Sequence, residues 1–213
     1  MSSEEVPPIS SVQKVRNLPN SPGDTYEGFT KTKEEKVWGS PTEKKILFVF
    51  ATFLEAQSFP ASKHILIIGM GPEEVRRNLT ASAFVGYDEV WNIGFAGAVD
   101  KKLPFGSIHT VSRVGRHEQD GDRELHPEGK RLITFDAPLH DPVLRDLLAH
   151  QWDLVDMEGG VIAEIAMDNN IPCHLIKIVS DNADENTTAS ILDNAPLLSN
   201  LLKDYVDERL SGS

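Results

Sequence analysis

The chain has 213 residues, 39% hydrophobic and 25% charged, which is enough to bury the core of one ordinary globular domain. Its 33 acidic and 21 basic side chains give a formal charge of −12 with no segregated basic face, so no nucleic-acid partner is expected. The longest apolar stretch, 46–54, is roughly half of what a membrane-spanning helix needs, so no membrane partner is expected.

In chain order, residues 1–43 come first, with five prolines (Pro7, Pro8, Pro19, Pro22, Pro41) and no helical or strand-like period. Such a composition buries too little to offset its ordering entropy, and the expectation is a mobile N-terminal extension with Tyr26, Phe29 and Trp38 as candidate anchors. Its first residues, MSSEEVPPISS, carry neither a basic nor an apolar secretory region. The single cysteine, Cys173, excludes an intrachain disulfide, and a cytoplasmic protein is expected.

From Lys44 onward short apolar runs alternate with longer amphipathic stretches, the rhythm of an α/β sheet with helices on its faces. Strands are predicted at 45–52, 64–69, 89–94, 107–114, 131–135, 153–157 and 173–181, several of them apolar on both faces as buried strands are. A helix is predicted over 72–86, opening with a proline and two acids and closing at Gly86. Two more are predicted at 141–150 and 158–170, and a last one at 189–210, interrupted or restarted at Pro196.

Ligands of open α/β sheets sit beyond the carboxyl ends of the strands, and three acids stand there: Glu55, Glu158 and Asp181. Each has a structural alternative. Glu55 and Glu158 suit the first turn of a helix, and Asp181, followed by Asn182 and Asp184, suits a turn or helix cap. The glycine runs GMG (69–71) and GFAGA (94–98) lack dinucleotide-binding spacing and a phosphate-loop lysine, and read as tight turns with close backbone approach. His109, His117, His126 and His140 have no metal-ligand spacing, so neither a metal nor another cofactor is expected. No G-x-S-x-G elbow is present, and Cys173 falls in an apolar strand where an inert thiol is expected.

Taken together, the ordered segments ILFVFATFLEAQSF (46–59), ILIIGMGPEEVRRNL (65–79), 88–114 and DLVDMEGGVIAEIAMDNNIPCHLIKIVSDNAD (153–184) resemble the nucleoside phosphorylase/hydrolase superfamily. The likeness is greatest to 5′-methylthioadenosine/S-adenosylhomocysteine nucleosidases and the futalosine-type hydrolases of menaquinone synthesis. It covers most of residues 44–210 and rests above all on D-M-E, then G-x-x-I-A, I-P and K-I-x-S-D-x-A-D in that order.

The resemblance implies a single three-layer α/β domain over 44–213, with a central mixed, mostly parallel sheet flanked by helices. It implies a homodimer whose partner closes part of the site, and a small-molecule nucleoside as substrate. By carry-over, Glu55 resembles the base that activates the attacking water, and Glu158 the acid that holds the ribose hydroxyls. Met157 resembles the sugar's apolar contact. Asp181 resembles the group that shares a proton with N7 of the purine, with Ser180 holding it. Asp156, Phe95, Ala96 and Gly97 belong to the same implied substrate site. An aspartate can donate to N7 and accept from a 6-amino group, whereas a 6-oxo purine is better served by asparagine, so adenine is favoured over hypoxanthine.

This chain departs from the pattern in four places. The segment between SRVGRHE and DME is short. Phe135-Asp136-Ala137-Pro138 stands where an aromatic usually stacks on the base, so Phe135 or Pro138 is expected to replace it. Phe95 stands where a small hydroxyl residue is common, and Asp156 where glutamate is usual. A shortened wall suits a bulky 5′ group such as that of aminodeoxyfutalosine, with methylthioadenosine or S-adenosylhomocysteine as the other candidates. The remaining alternatives are a nucleoside-binding relative without turnover and a phosphorylase, for which Arg113 and Arg116 are the candidate phosphate ligands.

Overall fold

In the computed structural model, residues 44–62 and 64–212 are described, and the expected extension over 1–43 lies outside them. Eight strands form one sheet: β1 (Ile46–Phe50), β2 (Ile65–Ile67), β3 (Glu89–Ala98), β4 (Ile108–Arg116), β5 (Asp122–Glu124), β6 (Lys130–Thr134), β7 (Leu154–Asp156) and β8 (Cys173–Asp181). The hydrogen-bonded order is β2-β1-β3-β7-β6-β4-β5, with β8 between β3 and β4. Pairing is parallel for β1 with β2 and β3, β3 with β8, and β6 with β4 and β7. It is antiparallel for β3 with β7 and for β4 with β5 and β8, so the sheet is mixed and mostly parallel.

Two long strands bend and serve two neighbours along one edge. β3 pairs with β1 through Asn92, then shifts register between Ala96 and Gly97 and joins β7 at Gly97 and Ala98. β4 pairs with β8 at Ile108–Thr110 and with β6 beyond it, again across a register shift. The pairings β3-β8-β4-β6-β7-β3 therefore close into a ring.

Helices cover both faces. α2 (Pro72–Asn78) and α4 (Gly159–Asp168) pack Val75, Val161, Ile162 and Ala163 into one core. On the other face, α5 (Thr187–Ser211) sets Ala195, Leu198, Leu202 and Val206 against Phe50, Ile93, Ile176 and Ile178. α3 (Pro142–Leu148) closes a third cluster around Val99, Ile133, Leu139 and Val155. Among the described residues no helix is long and apolar enough to cross a membrane.

Three predicted elements differ. GFAGA is the second half of β3 rather than a turn, and every residue of that strand is buried. The helix predicted over 72–86 ends at Asn78, whose side-chain amide bonds Ile68 O at 2.7 Å, and a 3-10 turn (Ala81–Phe84) follows. α5 runs unbroken through Pro196. Pro196 is exposed, while the buried residues Ala195, Leu198 and Ser199 beside it hold the helix to the core. β5 and the short helix α1 (Phe53–Ala56) are additional elements.

Candidate active site

The carboxyl ends of β1, β3, β7 and β8 converge on a cavity of about 350 Å³, within the usual range of small-molecule sites. Glu55, Glu158 and Asp181 all line it, from α1, the start of α4 and the end of β8. A larger, shallower groove of about 610 Å³, bordered by His109, His126, Lys130 and Arg209, includes none of these acids.

Glu55 occupies the third position of α1, where it is a first-turn acid of that helix, and it also lines the cavity. Thr52 and Glu55 form a reciprocal capping box, in which Glu55 Oε2 accepts from Thr52 N at 2.9 Å. Glu55 Oε1 accepts from Phe95 N at 2.9 Å and so ties the acid to the bend of β3. The approach needs glycine beside it, because a Cβ at Gly94 would lie 2.6 Å from Glu55 Oε1. Burial pushes the Glu55 carboxyl above the ordinary glutamate range, and Lys177 with the surrounding amides pulls it only part of the way back.

Glu158 sits at the start of α4, yet its side chain does not cap that helix. Glu158 Oε1 accepts from Gly71 N at 2.7 Å, across the fold at the positive-φ turn (Gly71 φ +84°) before α2. Burial first, then the nearby charges of Asp156 and Glu55, raise its pKa to about 8. Asp156 borders the cavity but turns its carboxylate inward. It accepts from Thr134 Oγ1 at 2.6 Å, Gly159 N at 2.9 Å and Lys177 Nζ at 2.8 Å. Asp156 thus lines the cavity as expected, with its carboxylate tied to β6, α4 and Lys177.

Lys177, only 1% exposed, is a buried charge beside the site that the sequence reading did not single out. Burial alone would lower its ammonium's pKa, but Asp156, Glu55 and Glu158 together outweigh that and hold it above the ordinary lysine range. A lysine in the middle of the otherwise apolar run LIKIV, on the strand face shared with Leu175 and Val179, was the signal available in the sequence.

Asp181 ends β8 on another part of the wall. Its Oδ1 accepts from Ala183 N and Thr187 Oγ1, both at 2.7 Å, and its Oδ2 from Ser180 Oγ at 2.6 Å. The turn expected after it is present, and Ser180 holds it as expected. Thr187, at the start of α5, is a second holder the sequence reading did not single out. A Cβ at Gly97 would lie 2.9 Å from Asp181 Oδ1, so each glycine of the G-x-x-G in β3 makes room for one acid.

Met157, Phe95, Ala96, Gly97, Ser180 and Pro138 line the cavity, as do the unpredicted Leu54, Met70 and Leu192. Phe135 does not. It is buried against His117, with ring centroids 4.0 Å apart and planes at 18°, which corrects the expectation that it replaces the stacking aromatic. Of the two, only Pro138 lines the cavity. Neither candidate phosphate arginine borders the cavity: Arg113 pairs with Asp122 and Glu124, and Arg116 with Asp136 and Glu164. Among the described residues no group of three or more His, Cys, Asp and Glu is placed to hold a metal ion.

Residues 131–211 match a family model described as Phosphorylase superfamily. No curated protein matches the chain. Among solved structures, the chain is similar to an MTAN from Chlamydia trachomatis, at 25% identity and a TM-score of 0.69 over 80% of this chain and 99% of that one. It is also similar to the 5′-methylthioadenosine/S-adenosylhomocysteine nucleosidase of Helicobacter pylori, at 18% identity and a TM-score of 0.62 over 78% and 99%. A futalosine hydrolase mutant of Helicobacter pylori aligns at 18% identity and a TM-score of 0.63 over 78% and 100%.

Proposed function

With the nucleoside phosphorylase-superfamily fold as the premise, we propose that this chain is an N-ribosyl hydrolase that cleaves a 5′-substituted adenosine and releases adenine. The observation that carries the reading is the convergence of the buried acids Glu55, Glu158 and Asp181 on one cavity. Departure of a purine leaves an oxocarbenium-like sugar, and such a centre is stabilised by acids fixed on either side of it. Glu55 takes the proton of the attacking water, and a carboxyl raised by burial is a better base near neutral pH. Glu158 holds the ribose hydroxyls with Met157 beneath the sugar. Asp181, clamped by Ser180 and Thr187, receives N7 and the 6-amino group of adenine.

Water is favoured over phosphate because Arg113 and Arg116 are both committed elsewhere. The structures bound to MTA and to adenine belong to the Chlamydia trachomatis MTAN and support an adenosine class of substrate. Met70 and Leu192 line the cavity yet are 64% and 61% exposed, which supports a homodimer whose second copy covers its mouth. An open mouth also suits aminodeoxyfutalosine, with methylthioadenosine and S-adenosylhomocysteine as the alternatives.

The test is adenine release, followed by chromatography, from methylthioadenosine, S-adenosylhomocysteine, aminodeoxyfutalosine and futalosine, each with and without phosphate. Phosphate-independent adenine release from at least one of the first three, and little cleavage of futalosine, is expected. Silence on all four would favour a nucleoside-binding protein without turnover, and strict phosphate dependence a phosphorylase.

A further inference from the structure

The buried acids of the sugar side outnumber the cation they surround, and their hydrogen bonds indicate which one holds a proton. Lys177 Nζ lies 2.8 Å from Asp156 Oδ2. A Cβ built at Gly94 would fall 3.5 Å from the same nitrogen and 2.6 Å from Glu55 Oε1, so the ammonium and Glu55 flank a single glycine. Asp156 accepts three hydrogen bonds, one of them from the ammonium. Glu55 accepts one backbone N–H on each oxygen. Glu158 accepts only on Oε1, from Gly71 N. A proton on Asp156 or Glu55 would compete with donors already in place, whereas Glu158 Oε2 meets none of these donors.

Resting on the nucleosidase reading, we infer that Lys177 is a positioning residue: its ammonium keeps Glu55 and Asp156 as carboxylates and leaves the cluster's proton on Glu158, which then meets the sugar as a hydrogen-bond donor. The charged groups facing one another come from every element that meets here: Glu55 from α1, Asp156 from β7, Glu158 from the start of α4 and Lys177 from β8. Asp181, at the end of β8, borders the same cavity and is satisfied by Ser180, Ala183 and Thr187. Burial raises both Glu55 and Glu158 and Lys177 lowers both, while the charges of Asp156 and Glu55 lift Glu158 further, to about 8. The consequence for the reaction is a division of labour, in which the base is charged and the sugar clamp is neutral at physiological pH.

The experiment is a pH titration of the full chain labelled with 13C at the glutamate carboxyl carbons, with Glu158→Gln and Glu55→Gln used to assign resonances. One carboxyl is expected to titrate near pH 8 and to vanish in Glu158→Gln. Lys177→Met should raise the Glu55 titration and the acid limb of kcat/KM together, by more than about one pH unit, a tenfold loss of kcat/KM on the acid side. Lys177→Arg, which keeps the charge, should restore the limb, an outcome that a merely structural role does not require. Should Lys177→Met fail to fold, Asp156→Asn frees the ammonium for Glu55 and should lower its titration. A Glu158 carboxyl titrating in the ordinary glutamate range, or a Glu55 titration unmoved by both Lys177→Met and Asp156→Asn, would overturn the assignment. The titration needs no turnover, so its failure is distinguishable from a failure to hydrolyse nucleosides.

Discussion

Two parts of one cavity use the same functional group in opposite ways. Around Glu55 and Glu158 the carboxyls are crowded, buried and arranged about Lys177, so charge and desolvation determine what each can do. Asp181 is instead held by two hydroxyls and a backbone amide. The first arrangement adjusts protonation and the second adjusts direction. Activating water requires a base of suitable strength, whereas recognising a purine edge requires an acid of fixed orientation.

The largest effect is expected where the crowded side loses its base. Glu55→Gln should lower adenine release by about 10²–10⁴-fold with adenine binding retained, and near-normal turnover would remove Glu55 from the chemistry. Gly94→Ala should come next, because its Cβ would lie 2.6 Å from Glu55 Oε1 and force the acid aside. A loss of activity approaching that of Glu55→Gln is expected, with overpacking costing about 1–3 kcal/mol in a thermal melt.

On the other side, Asp181→Asn should lower adenine release by about 10²-fold and leave the melting temperature nearly unchanged. An unchanged rate would mean that the leaving base is protonated elsewhere. The two sides also predict different pH responses of stability. Glu158 rises from 4.5 to about 8 on folding, so the folded state binds that proton more tightly. Its contribution is full below 4.5 and disappears as pH climbs toward about 8. The melting temperature of the wild type should therefore fall across that window more steeply than that of Glu158→Gln, and parallel profiles would contradict the raised value. The smallest effect on turnover belongs to Pro196→Ala in α5, which restores a helical N–H. It should raise stability by up to about 3 kcal/mol without altering adenine release.

Much of the scaffold was legible because the strands are short apolar runs, and β8 spans Cys173–Asp181 as its pattern predicts. Glu55, Glu158 and Asp181 were legible because they directly follow such runs. What escaped depends on partners distant in sequence. GFAGA looks like a turn until Glu55 and Asp181 are placed beside its glycines. Phe135 looks available for stacking until His117 takes its face. Lys177 looks like a stray charge in a strand until three carboxyls from three other elements surround it.

The closed circuit β3-β8-β4-β6-β7 bears on how such a protein can diversify. Gly94, Gly97, Asp156, Lys177 and Asp181 all lie on its strands, where inserting or deleting one residue would turn the following side chains to the opposite face and unpair two neighbours at once. Length can change cheaply only in the connections. The segment carrying Pro138 is one, and it reaches the cavity without belonging to any strand. Asp156, Lys177 and Asp181 are thereby held where register leaves little room for change, whereas Glu55, Glu158 and Pro138 sit on connections, where length can vary.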